Sequence, residues 1–108
     1  MKYLKKQKVQ KQILNYLLPK GFFVYKNNNV GIYFDLQFVK KSIGRYIPAK
    51  KKGVPDLTAI KDGEVYMIEV KTRMGKQSLA QLQFQIIWEQ HGGRYILGGM
   101  DEVMKFIR

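Results

Sequence analysis

The strongest constraint on how this chain folds is a pair of strand-forming segments separated by Asp62-Gly63. Residues 56–60 and 65–72 are rich in apolar, aromatic and β-branched side chains, which favour extended strands. Asp-Gly is a preferred dipeptide for a two-residue turn between antiparallel strands, because both of its positions need a positive φ. The two segments are therefore predicted to form a β-hairpin.

Charged side chains lie at one end of this predicted hairpin. Asp56 begins the first strand, and Glu69 and Lys71 lie near the end of the second. Because side chains alternate between the two faces of a strand, Glu69 and Lys71 are predicted to point the same way, with Ile68 and Val70 pointing into the core. The chain has 20 Lys and Arg residues against 8 Asp and Glu residues, so acids that cluster in this way need a reason.

The reason that we favour is a metal site for cleavage of a phosphodiester bond. If Asp56 and Glu69 lie side by side, their carboxylates and the Val70 carbonyl form an oxygen cage suited to Mg²⁺ or Mn²⁺. A metal held there would polarise a phosphate and activate a bound water. Lys71 would orient that water, help to deprotonate it, or neutralise charge on the phosphate. The simpler interpretation is an exposed Glu-x-Lys ion pair beside an ordinary Pro-Asp strand start, but the combination is more specific than either motif alone.

The charge of the chain predicts a polyanionic partner. Its 108 residues suffice for one domain, expected to span residues 1–108, and its formal net charge is +12. Residues 1–34 contain seven lysines and no acid. Nucleic acid and an anionic membrane surface would both suit this charge, and a basic surface can also serve solubility alone. The expected DNA-backbone contacts are Lys5, Lys6, Lys40, Lys41, Arg45, Lys50, Lys51, Lys52, Arg73 and Lys76.

Several classes of protein and site are excluded by composition. The chain has no cysteine, which excludes disulfides, thiolate metal sites and cysteine nucleophiles. Its basic start lacks the apolar segment of a signal peptide, and no apolar run approaches the roughly 20 residues that span a bilayer. We therefore expect a soluble protein without a membrane partner, located in the cytoplasm, or in the host cytoplasm if the source is viral.

The remaining elements follow from periodicity and from turn residues. A helix is predicted over residues 5–18, ended by Pro19-Lys20-Gly21, and a second helix from the N-cap Ser78 to about Gln90. Strands are predicted over residues 22–25, 30–34 and 94–97, a loop or short helix over 35–52, and a final helix over 101–107.

Four segments also resemble a known family. They are Gly53-Val54-Pro55-Asp56-Leu57, Tyr66-Met67-Ile68-Glu69-Val70-Lys71-Thr72, Ser78-Leu79-Ala80-Gln81-Leu82-Gln83-Phe84 and Gly92-Gly93-Arg94-Tyr95. Together they resemble the virus-type replication-repair nuclease domain, VRR-NUC, of the PD-(D/E)xK nuclease superfamily. The likeness extends more loosely to the first predicted helix and the first predicted strand, and so covers nearly the whole chain.

The resemblance implies a fold, a set of site residues and an activity. The fold would be the single-domain, restriction-endonuclease-like α/β fold, with a central mixed β-sheet flanked by helices. Asp56 and Glu69 would bind the metal, Lys71 would be the catalytic lysine, and Gln81 would be the motif glutamine of the following helix. Small stand-alone viral members resemble homodimeric endonucleases that select branched DNA such as Holliday junctions or flaps.

Helical geometry gives Gln81 a second, independent interpretation. Gln81, Gln85 and Trp88 fall on one face of the predicted helix, whereas Leu79, Leu82 and Ile86 fall on another. We expect the second face to pack on the sheet while Gln81 reaches the active centre or a phosphate. The alternative is that the glutamines are simply solvated.

The chain departs from the family pattern in its first helix. Members commonly carry an acid there that completes the metal site, whereas this chain has no acid before Asp35. Gln7 or Gln10 could bind a metal-bound water instead, or a substrate phosphate could complete the coordination. Two alternatives to a nuclease therefore stay open: a non-catalytic nucleic-acid-binding module with the same fold, and a basic structural protein of a nucleoprotein particle.

Overall fold

The computed structural model describes residues 5–27, 32–35, 44–47, 53–73 and 75–108, with the backbone alone described for 32–35 and 44–47. Three helices are present in this part of the chain: α1 (Lys6–Leu17), α2 (Leu79–Gln90) and α3 (Met100–Phe106). The strands are β1 (Phe23–Lys26), β2 (Ile32–Asp35), β3 (Gly44–Ile47), β4 (Leu57–Lys61), β5 (Glu64–Val70) and β6 (Arg94–Gly98).

A mixed four-stranded sheet has the order β1-β4-β5-β6. β1 and β5 run antiparallel to β4, whereas β6 runs parallel to β5. The parallel pair needs a crossover connection, which α2 supplies. β2 and β3 form a separate antiparallel pair. Asp56 therefore lies immediately before β4, next to the end of β5 that carries Glu69.

The predicted hairpin of β4 and β5 is confirmed. Lys61 pairs with Glu64 across a two-residue turn. Asp62 and Gly63 have φ values of 52° and 80°, the positive values that a type I′ turn requires at both positions. The turn sets the register of the strands, so it also decides which residues of β4 and β5 face each other at the far end.

The core lies between the sheet and the pair α1 and α3. The helical periodicity of α1 places Val9, Ile13 and Leu17 on its buried face, where they pack with Ile68 and other apolar residues of the sheet. A 3₁₀ turn at Leu18–Lys20 follows α1, so the helix ends at the predicted Pro19-Lys20-Gly21 segment. Burial of this stripe fixes the rotation of α1 about its axis, and hence the direction of the residues in its first turn.

The orientation of α2 differs from our expectation. Leu79, Leu82 and Ile86 were predicted to pack on the sheet, but their exposed fractions are 70%, 42% and 46%. The opposite face is the half-buried one, and Trp88 on that face donates a hydrogen bond of 2.8 Å to the Arg94 carbonyl. Hydrogen bonds of polar side chains and one aromatic side chain determine which face of α2 is half-buried. The spacing of the leucines does not show which of the two faces that is.

The segment 35–52 also differs from the predicted loop or short helix, because it contains the strand β3. Aromatic and β-branched residues at Tyr46 and Ile47 favour a strand despite the basic composition around them. The other predicted elements are confirmed within one or two residues at their ends. Among the described residues, no helix has the length and apolar character needed to cross a membrane.

Candidate active site

Asp56 is held against strand β5 by a backbone hydrogen bond. Its Oδ2 accepts a bond of 2.8 Å from the Val70 N–H, and its side chain is 11% exposed. The bond joins the start of β4 to the end of β5, where the ladder of the hairpin has ended. The predicted proximity of Asp56 to Glu69 is therefore a consequence of strand pairing.

Glu69 is almost completely buried, with a side chain that is 1% exposed. Its Oε2 lies 3.1 Å from Gln81 Nε2, 3.4 Å from Lys6 Nζ and 3.5 Å from Lys71 Nζ. Its Oε1 has no hydrogen-bond partner in the described structure. A buried carboxylate oxygen without a partner is costly, so its presence in a folded chain calls for a functional explanation.

The capping box of α2 orients Gln81. Ser78 Oγ accepts a bond of 3.1 Å from the Gln81 N–H, and Gln81 Oε1 accepts one of 2.8 Å from the Ser78 N–H. Because the amide oxygen is engaged there, the amide nitrogen is directed at Glu69. The start of the helix thus determines which end of the glutamine faces the carboxylate.

Lys71 follows the last residue of β5. Its N–H donates a bond of 2.9 Å to the Gly98 carbonyl, which continues the pairing with β6 by one residue. Its side chain is 18% exposed. The ammonium therefore approaches Glu69 from a fixed backbone and keeps an open side, as a group that contacts a substrate phosphate would need.

Lys6 is brought into the same cluster from α1. Its Nζ lies 3.1 Å from Asp56 Oδ2 and 3.4 Å from Glu69 Oε2. The sequence placed Lys6 on the expected DNA surface, and the structure places its ammonium between the two carboxylates. No sequence pattern linked Lys6 to residues 50 or more positions away.

The electrostatics of the cluster raise two pKa values. Burial, followed by the charge of Asp56, raises the pKa of Glu69 to about 7, although Lys6 and Lys71 act in the opposite direction. Burial alone would lower the pKa of Lys6, but Asp56 and Glu69 together outweigh it, and the pKa is raised. The raised pKa of Lys6 keeps its ammonium charged, while Glu69 is partly protonated near neutral pH unless a further cation approaches it.

Asn27 is a site-supporting residue that sequence reasoning missed. It was predicted to form a turn with Asn28 and Asn29, but its Nδ2 donates a bond of 2.9 Å to the Pro55 carbonyl. Its own N–H donates one of 2.8 Å to the Asp56 carbonyl, and its Oδ1 accepts one of 2.9 Å from Thr58 Oγ1. Asn27 thus holds the segment that carries Asp56. Its position directly after β1 was the only feature of the sequence that could have indicated this role.

Gly53 lies where this segment meets α2. Its φ is +85°, and a Cβ atom built on it would lie 2.2 Å from the Ala80 carbonyl oxygen. Only glycine combines this backbone conformation with this approach to a helix. The glycine before Pro55-Asp56 therefore brings Asp56 and the first turn of α2 together.

The residues at this point are compatible with a divalent cation. Glu69 Oε1 lacks a partner in the described structure, and Asp56 Oδ2 accepts from the Val70 N–H and pairs with Lys6. Carboxylate oxygens are the donors that Mg²⁺ and Mn²⁺ prefer. In the described part of the chain, no three His, Cys, Asp or Glu side chains are arranged so that they could hold a metal ion together, so protein carboxylates there would supply two ligands. The Val70 carbonyl stays a predicted third ligand.

The predicted DNA contacts are only partly within the described structure. Lys5, Arg73 and Lys76 are exposed. Five of the others lie outside the described residues: Lys40, Lys41, Lys50, Lys51 and Lys52. Arg45 lies in β3, where the backbone alone is described. Lys5 precedes Lys6 in the chain, and Arg73 and Lys76 follow Lys71, so these three exposed cations flank cluster residues in sequence.

Comparison with known proteins gives one structural match. No protein-family model matches the sequence, and no curated protein matches it. A solved structure described as a VRR_NUC domain matches with a TM-score of 0.64 and 18% sequence identity, over 95% of this chain and 97% of that chain. The chain therefore has the VRR-NUC fold, and the α/β architecture that the resemblance implied is confirmed. At this identity the likeness shows the fold, so the chemistry has to be argued from the residues.

Proposed function

We propose that this protein is a divalent-metal-dependent endonuclease that hydrolyses phosphodiester bonds in DNA. The observation that carries the proposal is the convergence of Asp56, Glu69, Lys71 and Gln81 at the end of one strand of the VRR-NUC fold. The unpartnered oxygen of buried Glu69 supports it, because that oxygen is a ready cation ligand. The net charge of +12 fits a DNA substrate.

Each residue has a separate task in this proposal. Asp56 and Glu69 would hold Mg²⁺ or Mn²⁺, with the Val70 carbonyl as a further oxygen ligand. The bound ion would supply a Lewis acid for the phosphate and lower the pKa of a coordinated water. Lys71 would donate to a phosphate oxygen and stabilise the charge that develops on it. Gln81 would keep Glu69 in its orientation, because the capping box fixes the Gln81 amide.

The proposal is tested by cleavage of end-labelled DNA with purified protein in Mg²⁺ or Mn²⁺. We expect cuts that disappear in EDTA and in Lys71→Ala. Lys105→Ala is the matched control, because it removes an exposed lysine of α3 outside the cluster. Cleavage that persists in EDTA, or in Lys71→Ala at the parental rate, would contradict the assigned chemistry.

Branched DNA is the substrate that we propose, with the protein acting as a homodimer. Symmetric cleavage of a four-way junction needs two active centres, which a C2 dimer provides. Helix α2 supports a dimer because it exposes Leu79, Leu82, Ile86 and Ile87, an apolar face of the kind that homodimer interfaces bury. Paired nicks in a junction and a dimeric mass in light scattering would agree with this proposal, and Ile86→Glu should yield a monomer. The proposed location is the cytoplasm, or the host cytoplasm for a viral protein.

A non-catalytic DNA-binding module is the second candidate. Lys6, in the first turn of α1, places an ammonium where a related enzyme would be expected to use an acid, and this ammonium contacts both carboxylates. Tight, salt-sensitive DNA binding without cuts in either metal would favour this candidate.

A further inference from the structure

The Lys6 ammonium bridges two carboxylates that belong to different strands. It lies 3.1 Å from Asp56 Oδ2 and 3.4 Å from Glu69 Oε2. An ammonium group has three donors and no acceptor, so it can replace a metal ion beside carboxylates but cannot bind one. Lys6 and a divalent cation would therefore compete for the negative charge of the same two carboxylates.

Charge balance favours exchange over joint occupancy. Lys6 and Lys71 together neutralise Asp56 and Glu69 when all four are ionised. A divalent cation added to the complete set would leave two excess positive charges in a partly buried cluster. If the cation replaces Lys6, one excess charge remains, and it matches the single negative charge of a phosphodiester.

The first turn of α1 gives Lys6 no other stabilising partner within the described structure. The residue before it is Lys5, no acid lies in the first helical turn, and no side chain caps this end. A cation is disfavoured at a helix N-terminus by the helix dipole. The carboxylates are therefore what stabilises Lys6 in this position. Because its side chain is 40% exposed, the ammonium can move into solvent without repacking the core.

We propose that Lys6 is a built-in counter-ion of the Asp56–Glu69 pair, and that a divalent cation binds there by displacing it. This inference rests on the proposed metal site and adds to it a mechanism that sets metal affinity. Lys6 neutralises the carboxylates before metal arrives, and its displaced ammonium joins the exposed lysines of the same helix. Metal binding thus changes the charge that the start of α1 presents to DNA.

The first test uses the unaltered chain and follows the reactivity of its lysine amines. Lys5 and Lys8 are exposed and serve as internal references. Without metal, acetylation of Lys6 measured by mass spectrometry should be several-fold slower than that of Lys8, because the ion pairs shield its amine. Saturating Mg²⁺ should bring Lys6 to the rate of Lys8. An equal Lys6 rate with and without bound Mg²⁺ would overturn the proposal.

The second test measures Mn²⁺ affinity in the absence of DNA, by electron paramagnetic resonance or calorimetry. Lys6→Met keeps the length of the side chain and removes its charge, and should tighten Mn²⁺ binding by about tenfold, as for loss of a partly buried ion pair. Lys6→Glu should tighten it further by adding a ligand. Lys8→Met, which removes an exposed charge from the same helix, should change affinity less than about twofold.

The outcomes separate this inference from the proposed function. If Asp56→Asn loses Mn²⁺ while Lys6→Met binds it like the parent, the metal site stands and the displacement proposal is wrong. If neither the parent nor Lys6→Met binds Mn²⁺, the metal site and the displacement are both wrong. Binding by Lys6→Met alone would show that Lys6 excludes the cation from the parent, which would overturn displacement and favour the non-catalytic candidate. Circular dichroism checks the folding of each variant, and the acetylation test needs no variant.

Discussion

Strand β5 carries a glutamate near each end, and the two lie in opposite environments. Glu64, at the hairpin end, is 49% exposed and forms an ion pair of 3.2 Å with Arg94. Glu69, at the carboxylate end, is 1% exposed and contacts two lysines and one glutamine. The same side chain in the same strand is therefore a surface charge in one place and a buried carboxylate in the other. What differs is the set of elements that cover each end.

The shape of the surface also distinguishes the hairpin end from the proposed site. A cleft of about 630 Å³ at the hairpin end is lined by Glu64, Tyr66, Lys20, Lys61 and other residues. None of its lining residues belongs to the predicted site. The cleft is itself lined by charged side chains of both signs, so charge alone does not separate the two ends, and the proposed site rests on the close approach of Asp56 and Glu69 to two lysines.

The largest expected contrast is in activity. Glu69→Gln should lower metal-dependent DNA cleavage by about a thousandfold or more, because it removes a charged ligand. Glu64→Gln should stay within about twofold of the parent, since Glu64 serves a surface ion pair. Initial rates on end-labelled DNA measure both. Cleavage by Glu69→Gln within tenfold of the parent would mean that the carboxylate end is not the active centre.

The two glutamates should also differ in how pH affects stability. The pKa of Glu69 is raised from 4.5 to about 7 by burial and by Asp56. Between these values the folded chain keeps a proton that the unfolded chain has lost, so stability falls as pH rises. At about 1.4 kcal/mol per unit, the free energy of unfolding in EDTA should fall by ~3 kcal/mol.

Urea denaturation between pH 4 and pH 8 measures this fall. It should be largely absent in Glu69→Gln and retained in Glu64→Gln. Saturating Mg²⁺ should reduce it, because a cation at the site favours the ionised form. An unchanged pH profile in Glu69→Gln would show that other groups control stability in this range.

The two ends also differ in how far sequence could predict them. The hairpin end depends on local chemistry, since Asp62-Gly63 fixes the turn and the register. Asp56, Glu69 and Lys71 were predicted to lie together because the hairpin follows local rules, whereas Gln81 was predicted from the family resemblance and from its helix face. Lys6 was predicted as a DNA contact and Asn27 as a turn residue; their contacts with the Asp56 region were missed because their partners are at least 28 positions away, and the fold alone brings them together.

Helix α2 shows a second limit. Its leucine and isoleucine face resembled a core face, yet Leu79 and Leu82 are exposed. Periodicity shows that two faces differ but does not show which one meets the sheet. In α1 the acidic partners lie on the sheet, so the basic residue Lys6 turns inward. For both helices, the buried face depends on the surface against which the helix packs, and the sequence of the helix alone does not show that surface.

Glycine substitution extends the comparison to backbone packing. Gly53 and Gly63 both have a positive φ, but only Gly53 is in tight contact, with Ala80 of α2. Gly63→Ala should cost about 1 kcal/mol of unfolding free energy from backbone strain alone. Gly53→Ala should cost about 2–4 kcal/mol, because the helix must also move. Urea denaturation compares the two variants. Equal losses of unfolding free energy would contradict a tight contact between Gly53 and α2.

Loss of Asn27 should have a smaller effect that is confined to the carboxylate end. Asn27→Ala leaves the Pro55 carbonyl and the buried Thr58 hydroxyl without their partner, which should cost about 1–2 kcal/mol. Mn²⁺ affinity should also fall, because the segment that carries Asp56 is less firmly held. Asn15→Ala, on the exposed side of α1, is the control and should change neither quantity. Unaltered Mn²⁺ affinity in Asn27→Ala would limit Asn27 to a structural role.

The smallest effect is expected for the ion pair at the hairpin end. Glu64 and Arg94 are 49% and 57% exposed, so water and salt screen their attraction. A double-mutant cycle of Glu64→Ala and Arg94→Ala should give a coupling of about 0.5 kcal/mol or less, which vanishes near 1 M salt. A coupling above about 1.5 kcal/mol would make the hairpin end energetically similar to the buried cluster. Burial would then no longer explain why one glutamate of β5 is suited to hold a metal ion and the other is not.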